Sequence, residues 1–179
     1  MLAAMSPPPR LSETSFIVLG LLELVQPATP YDLKRLAHHS TMNFWAVPHT
    51  QLYSECARLA KEGLLSEERE QTGRRRRIYS LTESGREALE TWRSEPIGAW
   101  AEPRDLGYLK LFFGADPTML AASQLPTHEE RLRNYEELCD LARFAPEAPR
   151  GPLLALEAGI GHEREYVRFW KRLLHEQAN

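Results

Sequence analysis

Cysteine is scarce in this 179-residue chain, and the two present, Cys56 and Cys139, stand far apart without metal-type spacing. Each falls on the apolar side of a predicted helix, where a small buried thiol is expected, and nothing calls for an oxidising compartment. No apolar stretch approaches bilayer-spanning length, and residues 1–10, with Pro7-Pro8-Pro9, lack the charged-then-apolar order of a signal peptide. The expectation is a soluble, cytoplasmic protein with a disordered lead-in over residues 1–11. A glycine-rich phosphate loop and a nucleophile elbow are missing as well. Six histidines, at 38, 39, 49, 128, 162 and 175, offer no two-ligand spacing with a nearby third ligand. No catalytic residue, metal or cofactor is therefore assigned, and an enzyme is the weakest reading. Nor is there a global basic excess: the net charge is −3, so any attraction to nucleic acid must be local.

What is present is one concentrated basic run. Residues 1–85 carry 10 Lys/Arg against 9 Asp/Glu, and the remainder 12 against 16, so neither half is basic as a whole. Arg74 to Arg77 supply most of the local positive charge. They follow a Thr72-Gly73 turn and lead into Ile78-Tyr79-Ser80-Leu81-Thr82; Leu64 to Gln71 reads as the first strand of a β-hairpin and Arg75 to Leu81 as the return strand. Cations on a protruding hairpin suit a DNA backbone, where each neutralised phosphate releases counterions.

The elements before the hairpin give it a context. Ser12 is a plausible cap for a helix through Phe16, Ile17, Leu19, Leu21, Leu22 and Val25, apolar nearly all round and so central to a core. Pro27 stops it. Thr29 as cap and Pro30 at the first position open a second helix, to about Ser40. Phe44-Trp45 bridge to Pro48, read as the first position of a third helix over about 48–62. Leu52, Cys56 and Leu59 form its buried stripe, and Gly63 its C-cap. Thr82 caps a fourth helix, although Gly85 stands where a full capping box wants Glu or Gln. Three helices, a hairpin and a fourth helix make the order of a winged helix-turn-helix.

Prolines at 96, 103, 117, 126, 146, 149 and 152 divide the second half into helical pieces. Leu106, Leu109 and Phe112-Phe113 mark a short one ended by Gly114. Asp116-Pro117 opens another, and Thr127 with Glu130 forms a capping box for the next. In the last helix Leu153, Leu156, Ile160, Glu163, Val167, Trp170 and Leu174 recur in steps of three and four, a coiled-coil-like seam apart from Glu163. Packing against the chain's own first half would cover that seam; a dimer fits it better. The fold class is mainly α with a small β-hairpin: a winged helix-turn-helix domain over 12–95 and a C-terminal helical dimerisation domain over 96–179.

Gln51-Leu52-Tyr53, Arg58-Leu59, Glu62-Gly63-Leu64, the stretch from Gly73 to Leu81-Thr82 and Gly85-Arg86 resemble the PadR family of transcriptional regulators. So do Ile17 to Leu24, Tyr31-Asp32-Leu33, Phe44-Trp45 and, in the second half, Leu109 to Gly114, Leu156 to Ile160 and Trp170. Cys56 departs from the larger aliphatic residue usual there, and Pro126 interrupts a region often written as one helix. The resemblance implies a homodimer that usually represses transcription from a palindromic operator, and in many members release by a small ligand, often a phenolic acid or an antibiotic.

The second helix of a helix-turn-helix reads bases from its N-terminal half, which makes Thr50, Gln51 and Ser54 the base-edge candidates. Gln can pair bidentately with adenine. His49 binds a phosphate or caps its own helix. The family tyrosine matching Tyr53 typically touches the DNA backbone, against a rim-packed ring. Lys34, Arg58 and Lys61 are phosphate ligands or solvated surface charges. Strand alternation puts Arg75 and Arg77 on one face and Arg74 and Arg76 on the other. Arg74 and Arg75, nearest the tip, are the main grip, with Arg76 beside them, and Arg77 is expected to pair with Glu68 or Glu70. Aromatic residues at 92, 100, 108, 112, 113, 135, 169 and 170 could line an effector cavity, but core packing is the commoner role, so no ligand residues are named. The competing reading is a winged-helix protein-interaction module, favoured by Glu55 alone on the third helix.

Overall fold

The computed structural model describes residues 10–71, 75–99, 104–143 and 149–176. The chain divides into two compact units, Met1–Ala99 and Trp100–Asn179. The starts of α-helices at Glu13, Pro30 and Glu83 in the first unit are each closed by a short polar side chain. Ser12 caps α1 (Glu13–Val25), and the Ser15 hydroxyl accepts from the Ser12 N–H at 2.8 Å in return. Thr29 caps α2 (Pro30–His38), with Pro30 at its first position and the Asp32 carboxylate accepting from the Thr29 N–H. A single 3₁₀ turn (Thr41–Asn43) leads to α3 (His49–Lys61). Pro48 is the N-cap of α3 and not its first helical residue, because its ψ of 133° is extended. At the other end Gly63 adopts φ 78°, and the N–H groups of Gly63 and Leu64 bond to the carbonyls of Ala60 and Leu59. Those two bonds satisfy carbonyls that the helix end would otherwise orphan.

β1 (Leu65–Arg69) and β2 (Arg77–Leu81) pair antiparallel, with Leu65 opposite Leu81, Glu67 opposite Tyr79 and Arg69 opposite Arg77. Both strands are shorter than expected, though the Glu70 N–H still donates to the Arg76 carbonyl at 3.0 Å. The Thr72-Gly73 turn lies outside the described residues. Ala28 exchanges two backbone bonds with Tyr79, so the α1–α2 connector forms a third edge of the wing. Thr82 caps α4 (Glu83–Ser94). Gly85 has a steric reason: a Cβ there would stand 2.2 Å from the Leu64 carbonyl oxygen, so the capping-box acid is excluded by the chain reversal itself. Leu19, Leu22, Leu33, Leu52, Cys56, Leu59, Tyr79 and Leu89 make the core beneath these elements. Each fully buried leucine contributes roughly 1.5–3 kcal/mol. Burial also pushes the Cys56 thiol up to about 12, so it stays an inert apolar filler.

The second unit consists of α5 (Leu106–Phe112), α6 (Pro117–Arg143) and α7 (Arg150–Glu176). α6 runs unbroken through Pro126, so no helix opens at Thr127 and its capping box with Glu130 does not form. An interior proline costs about 3 kcal/mol. Packing along α7 offsets it: Tyr135, Cys139 and Ile160 are buried together, flanked by Leu132, Leu153 and Leu156. Ile160 and Trp170 are buried within their own chain, while Leu153, Leu156, Val167 and Leu174 are half-buried in it. Within the second unit, α6 packs on Leu153, Leu156 and Ile160, and α5 packs on Trp170. No described helix is long and apolar enough to cross a membrane.

Candidate nucleic-acid interface

The outer face of α3 presents His49, Thr50, Gln51, Tyr53 and Ser54, all exposed, while Leu52, Cys56 and Leu59 turn fully inward. Periodicity separates the two sets, so the core that holds the helix also aims its polar face outward. The start of α3 has no side-chain cap and no acid in its first turn. Its leading amides and the positive end of its dipole are therefore open to an anion. His49 makes no hydrogen bond among the described residues, which leaves it exposed beside those amides and removes the self-capping alternative. The Ser54 hydroxyl donates to the carbonyls of Thr50 and Gln51, both at 3.1 Å, so toward a partner it presents lone pairs. Gln51 has both donor and acceptor unengaged among the described residues. Tyr53 is half-exposed at the flank. Lys61 is exposed about 18 Å along the axis from His49, at 1.5 Å per residue.

Arg58 does not join this face. Its Nη2 donates to Glu55 Oε1 at 2.6 Å and to the Ser15 hydroxyl at 3.0 Å, Nε donates to Glu55 Oε2 at 3.0 Å, and Nη1 donates to both Glu62 oxygens. Ser15, fully buried on α1, donates to Glu55 at 2.6 Å. The Arg58 hydrogen bond, with Ser15 behind it, holds the Glu55 carboxyl below its ordinary range against the cost of burial. A guanidinium committed in three directions is a strut between α1 and α3, and its expected role as a phosphate ligand is withdrawn. Ser15, a buried hydroxyl in an otherwise apolar helix, was the sequence signal for this network.

The wing arginines separate by register. Arg76 lies directly across from Glu70 and is bonded to it at 2.8 and 3.0 Å. Arg77 meets Glu67 at 3.5 Å, not Glu68 or Glu70 as the sequence suggested. Glu67 also accepts from Arg69 and from the Tyr79 hydroxyl, at 3.1 and 3.0 Å. Burial pushes the Glu67 carboxyl upward, but these donors outweigh it and hold it below the usual carboxylate range. Arg75 is exposed, has φ 48°, and has no charged partner among the described residues. Arg74 lies outside the described residues.

An outward polar helix beside an arginine-bearing hairpin defines a winged helix-turn-helix. Residues 18–91 match the family described as "Transcriptional regulator PadR-like family". Over those residues the chain is similar to that family. It is 26% identical over 176 residues to the negative transcriptional regulator PadR of Bacillus subtilis, covering 89% of this chain and 94% of the relative. Its fold matches the crystal structure of that regulator in complex with operator DNA at a TM-score of 0.80 and 23% identity, over 90% of this chain and 97% of the other. The structure of the same regulator with p-coumaric acid matches at 0.73 and 20%, over 95% and 99%.

Proposed function

We propose that this chain is a homodimeric repressor that occupies a palindromic operator and leaves it when a small molecule binds. α3 enters the major groove, where Thr50, Gln51 and Ser54 face base edges and Tyr53 the backbone. The open amides of α3, with His49 beside them, take a phosphate, and Lys61 a more distant one. Arg74 and Arg75 grip the backbone from the wing, with Arg76 contributing in part. The observation that carries this reading is the uncapped, acid-free start of α3 next to exposed polar side chains. Leu109 and Phe112 on α5, Phe113 just after it and Met119 on α6 are exposed, an apolar surface suited to a second copy alongside the half-buried α7 seam of Leu153, Leu156, Val167 and Leu174. The negative-regulator name and the p-coumaric acid complex of the Bacillus relative support repression and effector release here. The protein-interaction alternative loses its one support, because Glu55 is turned into the fold.

Footprinting the purified protein on DNA upstream of its own gene tests this. The expected result is protection of two half-sites spaced about 34–36 Å, one helical turn, or a multiple of it. Equal binding to every duplex, with no protected site, would overturn the operator reading. Sedimentation of the free protein at a monomer mass would overturn the dimer.

A further inference from the structure

A cavity of about 440 Å³ opens among α5, α6 and α7, entirely within the second unit. That is the size range of sites that hold small metabolites, roughly 300–1,000 Å³. It opens to solvent, and its lining mixes apolar side chains with several polar and charged ones. Arg104 and Lys110 stand on the α5 side, and Ser123, Gln124 and Thr127 follow one another along α6. Asp105 is the lining acid, and its carboxylate is already engaged by the Tyr108 N–H at the start of α5.

The wall opposite is held rigid by a buried acid. Glu163 occupies a seam position where an apolar residue would serve packing, yet it is 6% exposed and bonded to His128 Nδ1 at 2.6 Å. Arg131 approaches the second Glu163 oxygen at 3.5 Å and also donates to the Tyr135 hydroxyl. The His128 ring stacks on Tyr166 at 4.4 Å and 6°. A buried carboxylate is weak evidence for stability, because desolvation offsets the attraction of its partners. Beside a cavity it has another use: it fixes the His128 ring and commits the charge of Arg131. Arg104 and Lys110 are left as cations with no acidic partner among the described residues.

We propose that this cavity binds a small organic anion, a carboxylate or a phosphate ester, with its oxyanion between Arg104 and Lys110 and its polar groups along Ser123, Gln124 and Thr127. The site deepens the effector part of the function proposed above and rests on it for its regulatory meaning. Leu106 lines the cavity and also belongs to the exposed apolar side of α5. Occupancy can therefore bias the geometry of a dimer built on that side, provided the anion binds one geometry better than the other.

Calorimetric titration of the full chain without DNA tests the site separately from operator control. The probes are 4-hydroxybenzoate for a carboxylate and ribose 5-phosphate for a phosphate ester, with inorganic phosphate as the free-ion comparison. One of the two organic probes should bind saturably, once per chain. R104A/K110A should weaken it by about tenfold or more, the order of one lost charge-assisted hydrogen bond. Both positions are exposed, and the thermal unfolding of the variant should match that of the parent. No saturable binding of either organic probe overturns the proposal, as does equal affinity in the double variant or tighter binding of inorganic phosphate than of both organic probes. Operator affinity of R104A/K110A without any probe should equal the parent's, so a failure of DNA binding is recognised as its own result.

Discussion

Arg75→Ala is the most incisive perturbation of the wing, because among the described residues its side chain has no acid to share its charge with. Each phosphate neutralised on B-DNA contributes about 0.9 to the slope of log affinity against log salt. Losing Arg75 should make the slope shallower by about 0.9 per chain and about 1.8 per dimer. Between roughly 50 and 200 mM salt, a fourfold range, the parent should then lose about 12-fold more affinity than the variant. Arg77→Ala should change the slope by much less, since Glu67 already lies 3.5 Å from that guanidinium. Glu70→Gln should act in the opposite sense. It releases Arg76, bonded to Glu70 at 2.8 Å, and should steepen the slope by up to about 0.9 per chain. Fluorescence anisotropy of a labelled duplex across a salt series measures all three. The assignment is refuted if Arg75→Ala leaves the slope unchanged, or if Arg77→Ala flattens it more.

Gln51→Ala should re-rank operator variants by about 1–3 kcal/mol at one base pair, measured by competition binding, and a uniform loss on all sequences would remove Gln51 from base reading. Ser15→Ala deletes a hydroxyl bonded to both Glu55 and Arg58, and should cost about 1–3 kcal/mol in denaturant unfolding while leaving the salt slope intact. A changed slope with unchanged stability would mean that Arg58 reaches phosphate after all. Because the Glu55 carboxyl titrates lower when folded than its ordinary 4.5, its stabilisation is present above that pH and is lost as pH falls through the lowered value. Glu55→Gln should therefore reduce stability at neutral pH and flatten the acid limb of the stability profile. An unaltered acid limb would count against the network.

Where the sequence was legible, the physics was local. Ser12, Thr29-Pro30, Gly63 and Thr82 act within four residues of themselves, and each starts or ends a helix where the residue type demands. The outward face of α3 was equally readable, since one turn of the wheel separates Leu52 and Cys56 from Gln51 and Ser54. What was hidden depends on partners distant in the chain. Pro126 is a local stop signal overruled by packing on a helix about 30 residues later. The α7 seam marked an apolar stripe in need of cover, but periodicity carries no address, and part of that cover is α6 of the same unit. The arginines make the same point at finer scale. Composition shows four consecutive cations near three acids, but only the register that sets Glu70 across from Arg76, and Glu67 two residues from the partner of Arg77, decides which charges are spent. Moving the pairing by one residue would redistribute every one of those contacts across the two faces of the wing. DNA grip in this chain is thus set by hairpin register as much as by arginine count, and the acids of β1 are part of the interface because they determine how little of the basic run is left for phosphate.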